Sequence, residues 1–349
     1  MTFHIVLPRP MRLPETADEA LQHQAPRHSM WLLRNSLSAT LREPDGSGSV
    51  AIDKLRAMIA PPVSLWGLAR KIQREAARGD VVFCSSEAGG LQLAALCANS
   101  SRRPRLALFV HNVDRPRARF ALKFWRMAKS VDLFLACSAT QVLFLREFLR
   151  LPEDRVRHVW DHTDTRFFTP GPVSAEKARP LIVSVGLEQR DYKTLAAATQ
   201  DLDVDVRISG FSKDAAAMAR TFPEPMPANM SRRFYAWPEL VQLYRDADVV
   251  VVSCHENRYA AGVQSLMEAM ACGRPVIATA TVGLEAYLGD PIIPIPPGDA
   301  VQMRAAIQAS LADRADAAAR ALRGRALAAE RYAMERYVDE IGSALRALA

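Results

Sequence analysis

The chain of 349 residues is 49% hydrophobic and 24% charged with a formal net charge of +7, a balance that excludes a disordered or low-complexity polymer and leaves length for two separate cores. No apolar run reaches the roughly 18 to 20 residues that cross a bilayer and no charged-then-apolar leader opens the sequence, so a cytoplasmic protein is expected. Cys84, Cys97, Cys137, Cys254 and Cys272 lie in apolar runs without C-x-x-C spacing and the seven histidines are scattered, which points to buried thiols and to no metal site.

Strand and helix patterns alternate along the chain, as in a doubly wound α/β protein. Residues 3–7 (FHIVL) read as a first strand. Residues 8–62 are the least legible part, with a loop-like Pro-Asp-Gly-Ser-Gly-Ser run at 44–49. Residues 81–84 and 106–110 are further strands, each followed by helical spacing. After the first of these comes Ser85-Ser86-Glu87-Ala88-Gly89-Gly90, a strand-to-helix turn whose amides can hold an acceptor or a phosphate, although Gly89 and Gly90 can equally serve the turn alone. His111 and Asn112 follow the second.

Charge is unevenly divided: residues 1–150 hold 22 Lys and Arg against 12 acids. Much of that excess lies between 101 and 130, where Arg102, Arg103, Arg105, Arg115, Arg117, Arg119, Lys123, Arg126 and Lys129 face a single acid, Asp114. Phe120, Leu122, Phe124 and Trp125 are interleaved with these cations. Such a segment can rest on an anionic membrane or meet an anionic acceptor through Arg115 and Arg117, or it can be a solvated helix face over a core stripe. No nucleic-acid module accompanies it, and nucleic acid is not an expected partner.

Pro170, Gly171, Pro172 and Pro180 mark a linker at 169–180 that separates a domain of residues 1–168 from one of residues 181–329. The second domain opens on a strand ending in Gly186, followed by a loop in which Arg190 and Lys193 stand three apart at a helix start, near its N-terminal amides. Residues 249–254 are a buried-strand run. Past Glu256 and Asn257, the loop Tyr259-Ala260-Ala261-Gly262-Val263-Gln264 opens a short helix whose Val263, Leu266, Met267 and Met270 form a packing stripe, with Gln264 and Glu268 on another face. Gly273 and Pro275 end it, and residues 276–279 return as a strand. A lone Glu in such a helix is usually a solvated residue. Beyond Met303 the sequence is Ala-rich and helical, and residues 330–349 form a last helix.

Glu268 to Thr279 (EAMACGRPVIAT) resembles the signature of retaining glycosyltransferases of the GT-B fold, family 4 (glycosyl transferases group 1). In family order, residues 132–138 (DLFLACS), the crossover at 157–170, residues 181–186 (LIVSVG) and Pro296-Pro297-Gly298-Asp299 resemble further family segments. The resemblance implies two Rossmann-like doubly wound domains facing across a cleft, an N-terminal acceptor domain and a C-terminal nucleotide-sugar domain, with residues 330–349 crossing back as a helix to the first.

It also implies roles. Glu268 would bond the ribose of a UDP- or GDP-linked sugar, and Arg190 and Lys193 would meet the diphosphate. Gly186, Gly262 and the amides of Val263 and Gln264 would approach sugar or phosphate, and His111 would face the donor sugar. Two departures stand out: Asp161-His162 replaces the usual Asn-Gly of the crossover, and Ala260 occupies the place of a second glutamate, eight residues before Glu268. Glu256 or Asn257 would then supply the missing contact, or backbone amides would. The implied reaction is metal-independent transfer of a hexose-type sugar to a hydroxyl of a lipid-linked or polysaccharide glycan with retention, requiring no cofactor, on the inner face of a membrane if the protein is peripheral. A nucleotide-sugar-binding protein without transferase activity and a GT-B epimerase are the other readings.

Overall fold

Short β-branched runs buried on both faces set the architecture, because only a parallel sheet covered by helices on each side accommodates them. The computed structural model describes residues 1–98, 100, 102–211 and 216–349; Ser101, where the basic stretch opens, lies outside the described residues. The chain divides into one unit of residues 1–17, 28–160 and 335–349 and a second of residues 18–27 and 161–334.

The first unit's strands are β1 (Phe3–Val6), β2 (Thr40–Arg42), β3 (Val81–Cys84), β4 (Arg105–Val110), β5 (Leu133–Ala136) and β6 (Val156–His158). They form one parallel sheet in the order β2-β1-β3-β4-β5-β6. The helices up to this point of the chain are α1 (Leu13–Leu21), α2 (Ser29–Leu37), α3 (Ile52–Arg56), α4 (Val63–Glu75), α5 (Glu87–Cys97), α6 (Pro116–Phe124), α7 (Met127–Ser130) and α8 (Ala139–Leu149). The illegible residues 8–62 thus contain α1, α2, β2 and α3. Trp66, Phe134, Leu65 and Leu108 anchor the core under α4 and α5.

The second unit repeats the plan with β7 (Leu181–Val185), β8 (Asp205–Ser209), β9 (Met230–Arg232), β10 (Val249–Val252), β11 (Val276–Thr279) and β12 (Ile293–Ile295), ordered β12-β11-β10-β7-β8-β9 and all parallel. Its helices are α9 (Tyr192–Thr199), α10 (Trp237–Asp246), α11 (Val263–Ala271), α12 (Ala300–Ala312) and α13 (Arg314–Arg331). Asp191 caps α9 by accepting from the Thr194 amide, and Asp299, after Gly298, caps α12 by accepting from Gln302. Helix α11 stops where expected: Gly273, at φ +66°, donates to the Met270 carbonyl while Arg274 donates to Ala269, a Schellman close.

The last helix differs from its expected form. It is broken after Arg331 and resumes as α14 (Met334–Arg346). Thr163 takes the Tyr332 carbonyl at 2.8 Å and the Met334 amide at 3.1 Å, two groups a continuous helix would have kept for itself. Residues 335–349 group with the first unit, where Tyr337 packs edge-on against Phe109 and Arg346 bonds Ser36.

Candidate functional site

In an open parallel sheet, ligands bind beyond the carboxyl ends of the strands where the strand order reverses. In the second unit that point is the β7–β10 pair, so the loops at residues 186–191 and 253–262 are the candidate site. They are locked together. The Asp191 amide donates to the Ser253 carbonyl, the Ser253 hydroxyl donates back to the Asp191 carbonyl at 2.7 Å, and the His255 amide donates to Gln189. Tyr259 adds a hydroxyl bond to Glu188 at 2.8 Å.

Arg190 lies beneath both loops, 4% exposed. Its Nε and Nη2 donate to the Val185 carbonyl at 2.9 and 2.8 Å, and Nη2 also reaches the Ser265 hydroxyl at 2.7 Å. Nη1 meets the Glu188 carbonyl at 3.1 Å and the Cys254 Sγ at 3.2 Å. A guanidinium has five N–H bonds, and these contacts use all five. The expected direct contact of Arg190 with a diphosphate therefore has no donor left to make it. Arg190 instead pins the Gly186 turn to the start of α11, and both glycines are required for this. A Cβ on Gly186 would stand 2.4 Å from Arg190 Nη2, and one on Gly262 would stand 2.8 Å from Val252 Cγ1, with φ of +105° and +97° at the two positions.

Glu268, on α11, is 9% exposed and so is not the solvated residue that composition favours. The fully buried Tyr244 of α10 donates its hydroxyl to Glu268 Oε2 at 2.7 Å, and among the described residues this is the one hydrogen bond on the carboxylate. Burial pushes the Glu268 carboxyl up to about 7 against the opposing pull of the Tyr244 hydroxyl and the Arg190 charge. Burial, with the Glu268 charge beside it, also drives the Tyr244 phenol well above its ordinary value, which keeps it a donor.

Lys193 is exposed in the first turn of α9, where helix polarity and its own charge both favour an anion. Val263 is buried in the packing stripe and its amide donates to the Ala260 carbonyl at 3.2 Å, whereas Gln264 is exposed and bonds Asp161 at 3.2 Å. Glu256 and Asn257 have structural partners. Glu256 Oε1 accepts from the amides of Asn257 and Val282, while the Asn257 carbonyl takes the Gly283 amide and its side chain spans His255 and Tyr259. Together they tie the loop after β10 to the one after β11.

In the first unit, His111 sits just past β4. Glu87, at the first position of α5, accepts from the His111 amide, from His111 Nδ1 at 3.1 Å and from the Asn112 amide. Burial would raise the Glu87 carboxyl, but the His111 contacts and these amides outweigh it and hold it at about 2. The His111 side chain is half exposed. Gly89 and Gly90 each have a structural reason for being glycine: Gly89 adopts φ +95° and donates to Gln92, and a Cβ on Gly90 would fall 1.9 Å from Leu108 Cδ1. Arg115 and Arg117 are exposed at the start of α6.

Sequence reasoning missed Tyr244, Ser265 and the role of Glu87. Tyr244 stands three and four residues after Val241 and Leu240 on the buried stripe of α10. A tyrosine there must find a partner for its hydroxyl, and that is the signal that would have found it.

Residues 180–313 match the family model described as Glycosyl transferases group 1. No curated protein matches the chain by sequence. Among solved structures the chain resembles sucrose-phosphate synthase from Thermosynechococcus elongatus, at 16% identity and a TM-score of 0.72 over 100% of this chain and 99% of that one. It also resembles α,α-trehalose 6-phosphate synthase from Burkholderia multivorans, at 12% identity and 0.74 over 100% and 99%. Anabaena HepE in complex with UDP-glucose follows, at 14% identity and 0.69 over 99% and 100%.

Proposed function

We propose that this chain, whose residues 180–313 match the glycosyl transferases group 1 model and whose fold resembles that of glycosyltransferase structures, is a glycosyltransferase that moves a hexose-type sugar from a UDP- or GDP-linked donor to a hydroxyl acceptor with retained anomeric configuration. The acceptor in this reading is a lipid-linked or polysaccharide glycan, met at the inner face of a membrane, and no metal takes part. The observation that carries the reading is the buried carboxylate of Glu268 with one oxygen held by Tyr244, beside the Gly262 turn at the reversal point of the second sheet. HepE, a structure of similar fold, is described in complex with UDP-glucose, which supports a nucleotide sugar as donor.

The chemistry follows from those positions. Glu268 accepts from the ribose hydroxyls and fixes the nucleotide. The bond between the anomeric carbon and the β-phosphate oxygen breaks, and charge develops on that phosphate. Lys193 and the Gln264 and Ser265 amides in the first turn of α11 are the donors for it, while Arg190 acts through the two loops it holds in place. The acceptor oxygen bonds the anomeric carbon from the same face, and its proton passes to the departing phosphate oxygen, so no separate base is required. His111, held by Glu87, orients the donor sugar and acceptor.

Ala260 favours one competing reading, a protein that binds nucleotide sugars without transferring them, because it offers no carboxylate to the sugar. The test is incubation with a panel of UDP- and GDP-sugars followed by mass analysis. Hydrolysis or transfer supports the transferase, binding alone supports the second reading, and epimerised donor without acceptor overturns both.

A further inference from the structure

The interleaved cations and aromatics of α6 separate cleanly in the folded chain. Ala121 and Leu122 face the core, and Trp125 turns inward against Trp66 with ring centroids 5.3 Å apart. Phe120 and Phe124 do the opposite: they are 52% and 61% exposed and stack on each other at 5.1 Å. Helix α8 continues this face. Phe144 and Phe148 stack at 4.9 Å, and Leu143 is exposed. The two helices are joined through cations, with the Arg119 guanidinium 4.9 Å from the Phe144 ring centre and the Lys123 ammonium 4.5 Å from that of Phe148.

Large apolar rings left in water on one helix face mark a surface that is covered in use. What covers this one is indicated by the charge around it. Arg115, Arg117, Arg119, Lys123, Arg126 and Lys129 are all exposed along α6 and α7, against Asp114 at the near end and Glu147 on α8. A ring of cations about an apolar centre complements a surface of anionic headgroups over hydrocarbon, since the rings enter the acyl boundary while the cations stay level with the lipid phosphates. Single-stranded nucleic acid matches the charge, but Phe120 and Phe124 cover each other's inner faces, and Leu143 offers bases no stacking platform.

We propose that the α6–α8 face of the first unit docks on an anionic lipid bilayer, with Phe120 and Phe124 entering the headgroup boundary and Arg119 and Lys123 seated at lipid phosphates. It deepens the reading of an acceptor met at a membrane, and its test uses neither donor nor acceptor, so the two can fail separately.

The experiment is co-sedimentation of the full chain with vesicles of phosphatidylcholine alone or with one third phosphatidylglycerol, at low and high salt, alongside the F120S/F124S double variant. Wild type is expected to pellet with the anionic vesicles only and to be released by salt. The double variant should lose at least roughly tenfold in partitioning, with an unchanged melting curve. Should the double variant not fold, Lys123→Glu replaces it, with the same loss expected. Wild type left in the supernatant with anionic vesicles overturns the proposal, as does a folded double variant that binds like wild type, or retention on single-stranded RNA without vesicle binding.

Discussion

The strand ends of the two sheets present functional groups in opposite ways. In the second unit the groups are buried and mutually committed: Arg190 uses every N–H on protein partners, Glu268 is held by Tyr244, and two glycines in left-handed backbone leave room for the arginine. In the first unit the corresponding ends carry a half-exposed His111 on a partly exposed Glu87, with Gly89 serving a left-handed turn and Gly90 close packing on Leu108. A site built to fix one common chemical handle can be rigid before the ligand arrives, because the ordering cost is met during folding. One that receives varied partners keeps its side chains at the surface. In the proposed reaction the second unit would then be a donor side of fixed shape and the first an acceptor side left adaptable.

The hardest test of that contrast is to loosen the rigid side. Arg190→Met strands the Val185 and Glu188 carbonyls, and each buried acceptor left unpaired costs about 1–3 kcal/mol. Thermal melting is expected to fall by several degrees and donor binding to vanish with it. A variant that melts like wild type would show that the loops do not depend on this arginine. Glu268→Ala comes next. Hydrogen bonds to a charged group contribute about 1.5–3 kcal/mol each, so calorimetry should show donor affinity reduced roughly 10- to 100-fold, with melting lowered by the buried Tyr244 hydroxyl that loses its partner. Unaltered affinity would remove Glu268 from the ribose.

The open side should behave differently. His111→Ala is expected to lower kcat roughly tenfold while the KM for donor and the melting curve stay within twofold and about one degree, and Glu87→Gln should follow with a smaller loss. A matching rise in donor KM would place His111 in nucleotide binding and erase the contrast. Chelation of divalent metals should leave transfer unchanged; loss restored by added metal would overturn the metal-free step.

How much of this could be read in the sequence follows the same division. The strand-loop-helix-strand from Val249 to Thr279 was legible because a fully buried parallel strand, a glycine-opened helix and a Gly-x-Pro stop each have one local cause, and the matched region 180–313 contains them all. Residues 8–62 were not, since α1 buries only Leu13, α3 is a helix of five residues and β2 is an edge strand of three residues. The spacing of Arg190 and Lys193 shows two cations at a helix start. It does not show that one side chain turns inward, which depends on Cys254 and Ser265 more than 60 residues away. Partners at that separation leave no trace in local pattern; Tyr244 on Glu268 and His111 on Glu87 are 24 residues apart, and there the buried stripe of α10 flags the tyrosine but not the carboxylate it meets.

Tyr244→Phe is the mildest change to the rigid side, and it reads out charge. The ring is kept, so its packing against Phe168 persists and only the hydroxyl bond is lost. The groups facing Glu268 are Tyr244 from α10, Arg190 from the loop after β7 and Cys272 beyond the end of α11. With the folded carboxyl at about 7 and its ordinary value at 4.5, the native state holds more proton than the unfolded one between those pH values. The contribution of Glu268 to stability therefore falls as pH rises through that window. A donor that needs the ionised carboxylate binds in the reverse sense, weakening as pH drops below about 7 and releasing a proton on binding just under it. Removing the hydroxyl takes away a bond that favours the ionised form, so the midpoint of the UDP-glucose affinity profile should move to higher pH, with a loss of a few-fold at pH 7 that shrinks by pH 9. A purely steric role for Tyr244 would lower affinity by one factor at every pH, and a profile displaced in magnitude but not in midpoint would establish it.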